Sequence, residues 1–126
     1  MLRTMMRSKI HRAVVTASNL HYIGSITIDS ELLRVADMME NEFVQVLDID
    51  NGARLETYVI EGSPSSGEIC INGAAAHLIH PGDRVIVVAY GQYTPAELRD
   101  HRPTVVVCDE QNNPTALARE ERATVG

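Results

Sequence analysis

Three polar residues alternate along one stretch of the sequence and could bind a small charged ligand. Alternation with a period of two places Arg54, Glu56 and Tyr58 on one face of a strand and Thr57 on the opposite face. The guanidinium and the phenol are then roughly 13 Å apart at Cα, so their long side chains could converge on one ligand. A polar strip that faces solvent explains the same pattern, and for an isolated strand it is the commoner explanation.

A second segment is rich in small residues and could bring the backbone close to a ligand. Gly73, Ala74 and Ala75 follow Asn72 at the end of a short apolar run. Small side chains let backbone N–H groups approach a ligand, and a helix that starts here would favour an anion. An ordinary tight turn between a strand and a helix predicts the same residues, so this segment alone is a weak indication.

The third candidate is the Gly24–Ser25 dipeptide, which follows Tyr22 and Ile23. A Gly-Ser bond is common and by itself indicates a turn. Nothing in the composition of this stretch indicates that the bond is cleaved.

Several other kinds of chemistry lack their motifs in this sequence. There is no G-x-S-x-G nucleophile elbow, no G-x-G-x-x-G and no Walker A sequence. Among the five histidines, only His77 and His80 are near neighbours, and no carboxylate motif accompanies them. We therefore expect no metal site.

The elements that would position these residues are short strands separated by turns. Asp29 is a good N-cap for a helix over residues 30–39, Asn51-Gly52 is a strong hairpin signal, and Thr94-Pro95 starts a further short helix. A helical turn is expected after Gly73. About seven strands are predicted, over residues 8–16, 25–28, 43–49, 53–60, 68–72, 84–90 and 103–108. This pattern favours a closed or nearly closed β-barrel, with the strand order left open.

Length and composition indicate one domain with an aliphatic core. The 126 residues include one Phe, four Tyr and no Trp, and the net charge of −6 argues against nucleic acid as a partner. Two distant cysteines, Cys70 and Cys108, suggest reduced thiols in a cytoplasmic protein. No signal peptide or apolar run of membrane-spanning length is present, so no membrane association is expected. The polar segment from about 112 to 126 is expected to be a flexible tail.

Taken together, five segments resemble the bacterial aspartate 1-decarboxylase family. Each is weak alone, but they occur in order and with close spacing over residues 1 to about 108. The matching stretches are RTMMRSKIHRAVVT, NLHYIGSITID, DIDNGARLETY, INGAAAHL and HPGDRVIVVAY. Two departures are Leu47, where some members carry an aromatic residue, and the loop 61–67, which lacks an Arg often found there.

The resemblance implies a mainly β fold, a double-psi β-barrel with a few short helices, assembled as a homotetramer with its pocket between subunits. It also implies a proenzyme of one domain, 1–126, that cuts itself after Gly24 into chains 1–24 and 25–126. Ser25 would become a covalent pyruvoyl group, the only cofactor expected, and some members need a maturation helper. The implied reaction converts L-aspartate, through a Schiff base, to β-alanine and CO2 for pantothenate biosynthesis.

Individual roles also follow from the resemblance. Self-processing is assigned to Gly24, Ser25 and Thr57, with glycine at position 24 permitting a strained backbone and close attack. Catalysis is assigned to Ser25 and to Tyr58, the proton donor. Substrate binding is assigned to Lys9, His11, Tyr22, Arg54, Thr57, Asn72, Gly73, Ala74 and Ala75. The alternative is a non-catalytic double-psi barrel that serves as an interaction module.

Overall fold

The computed structural model describes residues 1–115 and contains one mixed sheet of eight strands. The strands are β1 (Arg3–Val14), β2 (Ala17–Asn19), β3 (Ser25–Asp29), β4 (Phe43–Asp48), β5 (Arg54–Gly62), β6 (Ile69–Asn72), β7 (Arg84–Tyr93) and β8 (Thr104–Val107). The prediction of a mainly β fold with a few short helices is confirmed.

Within residues 1–115, three short helices lie where the sequence predicts them, two of them with the predicted side-chain caps. Helix α1 (Ser30–Ala36) is capped by Asp29, whose carboxylate accepts the Glu31 N–H at 2.9 Å. It ends three residues before the predicted end because Asp37 adopts the left-handed conformation, with φ of 58°. Helix α2 (Pro95–Leu98) begins with a capping box at Thr94, and a 3₁₀ helix spans Gly73–His77.

The strand order shows how the sheet curves onto itself. The order is β2-β6-β3-β5-β4-β7-β1-β8. Strands β1 and β2 are consecutive in the chain but lie near opposite ends of this order. The Thr16 N–H between them donates to the Ile69 carbonyl at 2.8 Å, which links β6 to the end of β1. This arrangement is consistent with a β-barrel, and the double-psi topology remains a prediction.

Pairing over long sequence distances lengthens several strands beyond their predicted bounds. Strand β1 starts at Arg3 instead of Ser8 because Arg3 pairs with Tyr93 of β7. The short strand β2, which the sequence pattern suggests only as a turn leading to a strand, pairs in parallel with β6. The local periodicity of a sequence cannot reveal strand partners that are distant along the chain. The predicted β4–β5 hairpin is confirmed, with Gly52 at a φ of 78° in its turn.

One face of the sheet forms an aliphatic core, as the composition predicts. The largest fully buried side chains of the described residues include Ile10, Ile26, Ile28, Leu32, Leu33, Ile69, Ile71, Ile79, Val15, Val44, Val46 and Val59. Because Ile10 is in register with Val87 of β7, and Val87 with Val46 of β4, this row of side chains points inward across three strands.

The beginning of the predicted tail belongs to the folded structure. Asn112 is buried, accepts the Val14 N–H at 2.7 Å and donates to the carbonyls of Val14 and Gly67 at 2.9 and 2.8 Å. The rest of that prediction falls on residues 116–126, which lie outside the described residues.

A search of the described residues for a helix long and apolar enough to cross a membrane finds none.

Candidate active site

Ser25 lies at the start of β3, buried between two neighbouring strands. It pairs with Asn72 on antiparallel β6, while the next residue, Ile26, pairs with Val59 on parallel β5. Only 1% of its surface is exposed. The loop that leads to it is open by contrast, since Ile23 is 72% exposed. The Gly24–Ser25 bond therefore joins an accessible loop to a fixed strand.

The Ser25 hydroxyl takes part in a small hydrogen-bond network. It donates to the Ile23 carbonyl at 3.1 Å and accepts from Asn72 Nδ2 at 2.9 Å. The same Asn72 nitrogen donates to Thr27 Oγ1 at 3.0 Å, and Asn72 Oδ1 accepts from Cys70 Sγ at 3.3 Å. This network fixes the direction of the hydroxyl before any reaction.

The parallel pairing of β5 with β3 directs Thr57 and Tyr58 toward the Gly24–Ser25 bond. Ile26 pairs with Val59 and the two strands run in parallel. Extending this register by one residue would place Ser25 beside Tyr58, and a second residue would place Gly24, which precedes β3, beside Thr57. Thr57 and Tyr58 lie on opposite faces of β5, and successive residues of an extended segment alternate in the same way. On this extension, each of the two side chains would face one residue of the candidate cleavage bond.

A close backbone contact explains the glycine at position 73. A Cβ on Gly73 would lie 2.7 Å from Gly24 Cα and 3.1 Å from the Tyr22 carbonyl oxygen, and Gly73 has a φ of 75°. Gly24 differs, since a Cβ there would meet no atom of the described residues within 4 Å, apart from its chain neighbours, and its φ is not in the left-handed region. The steric demand for a glycine therefore falls on Gly73.

The remaining small residues of this segment are less enclosed. Ala74 is exposed and Ala75 is half-buried against the core. The Ala75 carbonyl accepts from the N–H groups of Leu78 and Ile79, which leaves the 3₁₀ helix tightly wound. Tyr22, on the open loop, is 49% exposed.

The predicted cationic residues lie on the outer face of the same sheet but away from Ser25. His11 is in register with Ile86, Ile86 with Leu47, and Leu47 with Arg54. Lys9 lies two residues before His11 on the same face. In the strand order, β1 is four positions from β3, roughly 19 Å along the sheet at 4.8 Å per strand. Arg54 is on the strand next to β3 but about 13 Å from Tyr58 along it. Measured along the sheet, Lys9 and His11 are therefore distant from Ser25, whereas Arg54 lies on the strand adjacent to β3.

Sequence reasoning, which considered only histidine spacing, missed one cluster of possible metal ligands. Carboxylate oxygens of Asp48, Asp50 and Asp83 lie within 4.8 Å of one another. Burial and a hydrogen bond with Asp83 raise the pKa of Asp48, so these two carboxyls can share a proton. Proximity of the β4–β5 turn to the His80–Asp83 turn creates this cluster, and no local motif signals it.

Comparison with known proteins identifies the family. A family model described as aspartate decarboxylase matches residues 1–115. The chain belongs to the aspartate decarboxylase family. The sequence similarity is high and extends over nearly the whole chain. The chain is 58% identical over 123 residues to an aspartate 1-decarboxylase of Heliobacterium modesticaldum, and the match covers 98% of this chain and 93% of that protein.

Two further relatives of the aspartate decarboxylase family match almost as completely. One from Desulfitobacterium hafniense is 58% identical over 121 residues, covering 96% of this chain and 95% of the relative. One from Listeria monocytogenes is 54% identical over 123 residues, covering 98% and 97%. Both carry the name aspartate 1-decarboxylase. The family resemblance inferred from the five motifs is confirmed, and the chain belongs to a family of carboxy-lyases.

Proposed function

We propose that this chain decarboxylates L-aspartate to β-alanine and CO2, for pantothenate synthesis, with a pyruvoyl group made from its own Ser25. The observation that carries the proposal is the position of Ser25 at the start of β3. There it is hydrogen-bonded to Asn72 and precedes Ile26, which pairs with Val59, so the β3–β5 register extended upstream would run toward Tyr58 and Thr57. The aspartate decarboxylase family match over nearly the whole chain supplies the substrate class.

The proposed maturation begins with attack of Ser25 Oγ on the Gly24 carbonyl carbon. The peptide C–N bond breaks, the hydroxyl proton goes to the released nitrogen, and an ester joins the two segments. The Thr57 hydroxyl, in register with Gly24, would donate to the oxyanion that forms on the way. Loss of the Ser25 Cα proton then expels the Gly24 carboxylate from Cβ, and water converts the resulting N-terminal dehydroalanine to a pyruvoyl group, still joined to Ile26, and ammonia.

The residues around Ser25 fit a carbonyl group at that position. Asn72 Nδ2 already donates toward the Ser25 side chain, and this donor is of the kind that a carbonyl oxygen accepts. When formed, the pyruvoyl group would supply an electrophile for the substrate amine and a sink for the electrons that CO2 leaves behind.

The chain's own side chains would then select the substrate and protonate the product. Tyr58, beside Ser25 in register, would deliver a proton to the substrate α-carbon. Arg54 offers a planar fork that suits a carboxylate, and Lys9 supplies a second cation. His11, Tyr22, Asn72 and the segment Gly73–Ala75 would line the remaining pocket. Two cations favour a dianionic substrate such as aspartate.

A homotetramer with pockets between subunits would complete this site. Lys9 and Arg54 share the outer face of the sheet with Tyr58, and the strand that carries Lys9 lies four positions from β3 in the strand order. The same face exposes large apolar side chains, with Phe43 55% and Tyr90 38% exposed. An apolar surface rimmed by charge is typical of a protein interface. Apposition of two subunits would bring the cations of one to the Ser25 of the other.

The proposal also includes the protein's cellular location, its maturation helper and its other partners. Cys70 and Cys108 are both unpaired thiols, which accords with a cytoplasmic protein. A maturation helper would act at the exposed loop before Ser25. Neither nucleic acid nor a membrane is expected as a partner.

Intact-mass measurement of the purified protein tests the proposal directly. We expect two chains, 1–24 and 25–126, with a keto group at the new terminus, and β-alanine formation from L-aspartate. The Ser25→Ala variant should remain one chain and be inactive, since it has no nucleophile. A wild-type chain that stays uncut and inactive, even in lysate of its source, would instead support the non-catalytic interaction module.

A further inference from the structure

Two residues that the family motifs leave without a role contact the Ser25 network. Thr27 on β3 pairs with Cys70 on β6, two residues along the strands from the Ser25–Asn72 pair, so both pairs lie on the same face of the sheet. The four side chains form a compact polar group, called here the Ser25 cluster. Each contact within it is made by Asn72, which is 3% exposed and lies at its centre.

The surroundings of Asn72 determine which end of its carboxamide faces Ser25. The Ser25 hydroxyl has one hydrogen, which it donates to the Ile23 carbonyl at 3.1 Å, so its oxygen can only accept from Asn72. On the other side, the Cys70 thiol donates to Asn72 Oδ1 at 3.3 Å. Burial, together with the charge of Glu68, raises the pKa of Cys70, so the thiol keeps its proton at neutral pH. Thr27 accepts the second N–H at 3.0 Å.

We propose that Thr27 and Cys70 are positioning residues that hold the Asn72 carboxamide with its N–H toward Ser25 Oγ, and so aim the hydroxyl for attack on Gly24. The inference rests on the self-cleavage proposed above. Cys70 favours this orientation because its S–H can donate to Oδ1, while Ser25 and Thr27 accept the two N–H groups at the other end of the carboxamide. A carboxamide turned by 180° would present Oδ1 to Ser25. Oδ1 would then compete with the Ile23 carbonyl for the Ser25 hydroxyl proton and change the direction of the Ser25 hydroxyl.

The test is the rate of Gly24–Ser25 cleavage, followed by intact mass from the moment of cell-free synthesis. We expect Cys70→Ala and Thr27→Val each to slow cleavage by about tenfold, the size expected for one lost hydrogen bond. Cys70→Ser should cleave within about threefold of wild type, because a hydroxyl can donate to the same oxygen. Matched controls are Cys108→Ala and Thr104→Val, which alter the same residue types away from the Ser25 cluster and should cleave at the wild-type rate.

A second comparison separates positioning from general destabilisation. If Thr27 and Cys70 act through Asn72, then neither substitution should slow cleavage further in an Asn72→Ala background. Full additional slowing in that background, or a wild-type rate in Cys70→Ala and Thr27→Val, would overturn the inference while leaving self-cleavage intact. A wild-type chain that never cleaves would contradict the proposed function, and this inference would fall with it.

Discussion

At the residue scale, Gly73 and Gly24 are in close contact but are glycines for different structural reasons. Gly73 is enclosed by the loop that carries the candidate cleavage bond, while Gly24 has open space where a Cβ would lie. The contact runs from Gly73 to the Gly24 backbone, so the smallness of one residue sets the position of the other. A substitution at position 73 should therefore act on the bond, although it changes no proposed reacting atom.

We predict that Gly73→Ala slows Gly24–Ser25 cleavage by at least tenfold, because the new Cβ would collide with Gly24 Cα at 2.7 Å. Intact-mass time courses measure this rate. Gly82→Ala is the matched control: Gly82 also has a positive φ, of 91°, but a Cβ there meets no atom within 4 Å. Both variants carry the cost of alanine at positive φ, of about 1 kcal/mol. Equal cleavage rates in the two would show that the close contact is unimportant.

Tyr58 offers a second test at this scale because cleavage and turnover can be measured separately. Tyr58→Phe should still mature, since Thr57 is the residue in register with Gly24, but kcat should fall by about a hundredfold or more without the proton donor. Tyr93→Phe, on β7, provides a phenol-to-phenyl control. A cleaved Tyr58→Phe enzyme with near-normal kcat would remove Tyr58 from the acid role.

At the element scale, one carboxylate joins a strand, a helix and a loop. Asp29 ends β3 and caps α1, and its two oxygens also accept the N–H groups of Ser65 and Gly67 at 2.8 and 2.9 Å. Burial disfavours the charged form, but these backbone donors and that of Glu31 outweigh burial and hold the pKa of Asp29 below its usual value. The helix start is thereby tied to the loop that precedes β6.

The sign of that pKa shift predicts how stability depends on pH. A lowered folded-state pKa means that the stabilisation is fully present above the ordinary value of 3.8 and is lost as pH falls through the folded-state pKa. Asp29→Asn should cost about 1–3 kcal/mol of unfolding free energy at pH 7, and the difference from wild type should shrink below about pH 4. Urea unfolding between pH 3 and 7 measures this. The exposed Asp100→Asn is the control, and a pH-independent difference for Asp29→Asn would contradict the assignment.

At the scale of the whole molecule, the outer face of the sheet is the surface that the proposed assembly would bury. The rows of side chains from β1 to β5 present Lys9, His11 and Arg54 on the same surface as Phe43 and Tyr90. Tyr90 donates to Gln45 Oε1 at 2.9 Å, which links β7 to β4 across this surface. Such a face provides cations and apolar area together, which suits a subunit interface that also binds an anion.

Complementation between inactive chains tests that arrangement. Ser25→Ala lacks the group at Ser25 but retains Arg54, whereas Arg54→Ala should cleave and lack only the carboxylate clamp. If Arg54 serves the Ser25 of another subunit, co-expressed chains should regain β-alanine formation at least tenfold above either variant alone. Mass analysis verifies that the two chains mix. Mixed assemblies without recovered activity would place both residues in one chain's site and refute the interface model.

Local chemistry made some features predictable from the sequence by itself. The caps at Asp29 and Thr94 and the turn at Asn51-Gly52 depend on neighbours within a few residues, so their types could be inferred without tertiary information. Five motifs in order were sufficient to identify the family. The mainly β fold and the aliphatic core likewise follow from periodicity and composition.

Other features were decided only by the tertiary structure, because they arise where distant segments meet. Asn72 reaches Ser25 across 47 positions of sequence, and Thr27 and Cys70 join it only through the β3–β6 pairing. The contact of Gly73 with Gly24 has the same origin. Sequence alternation alone placed Thr57 and Tyr58 on opposite faces and left their shared site unexplained. The parallel pairing of β3 with β5 supports the proposal that both serve the Gly24–Ser25 bond, because the register extended upstream of Ile26 runs toward both residues.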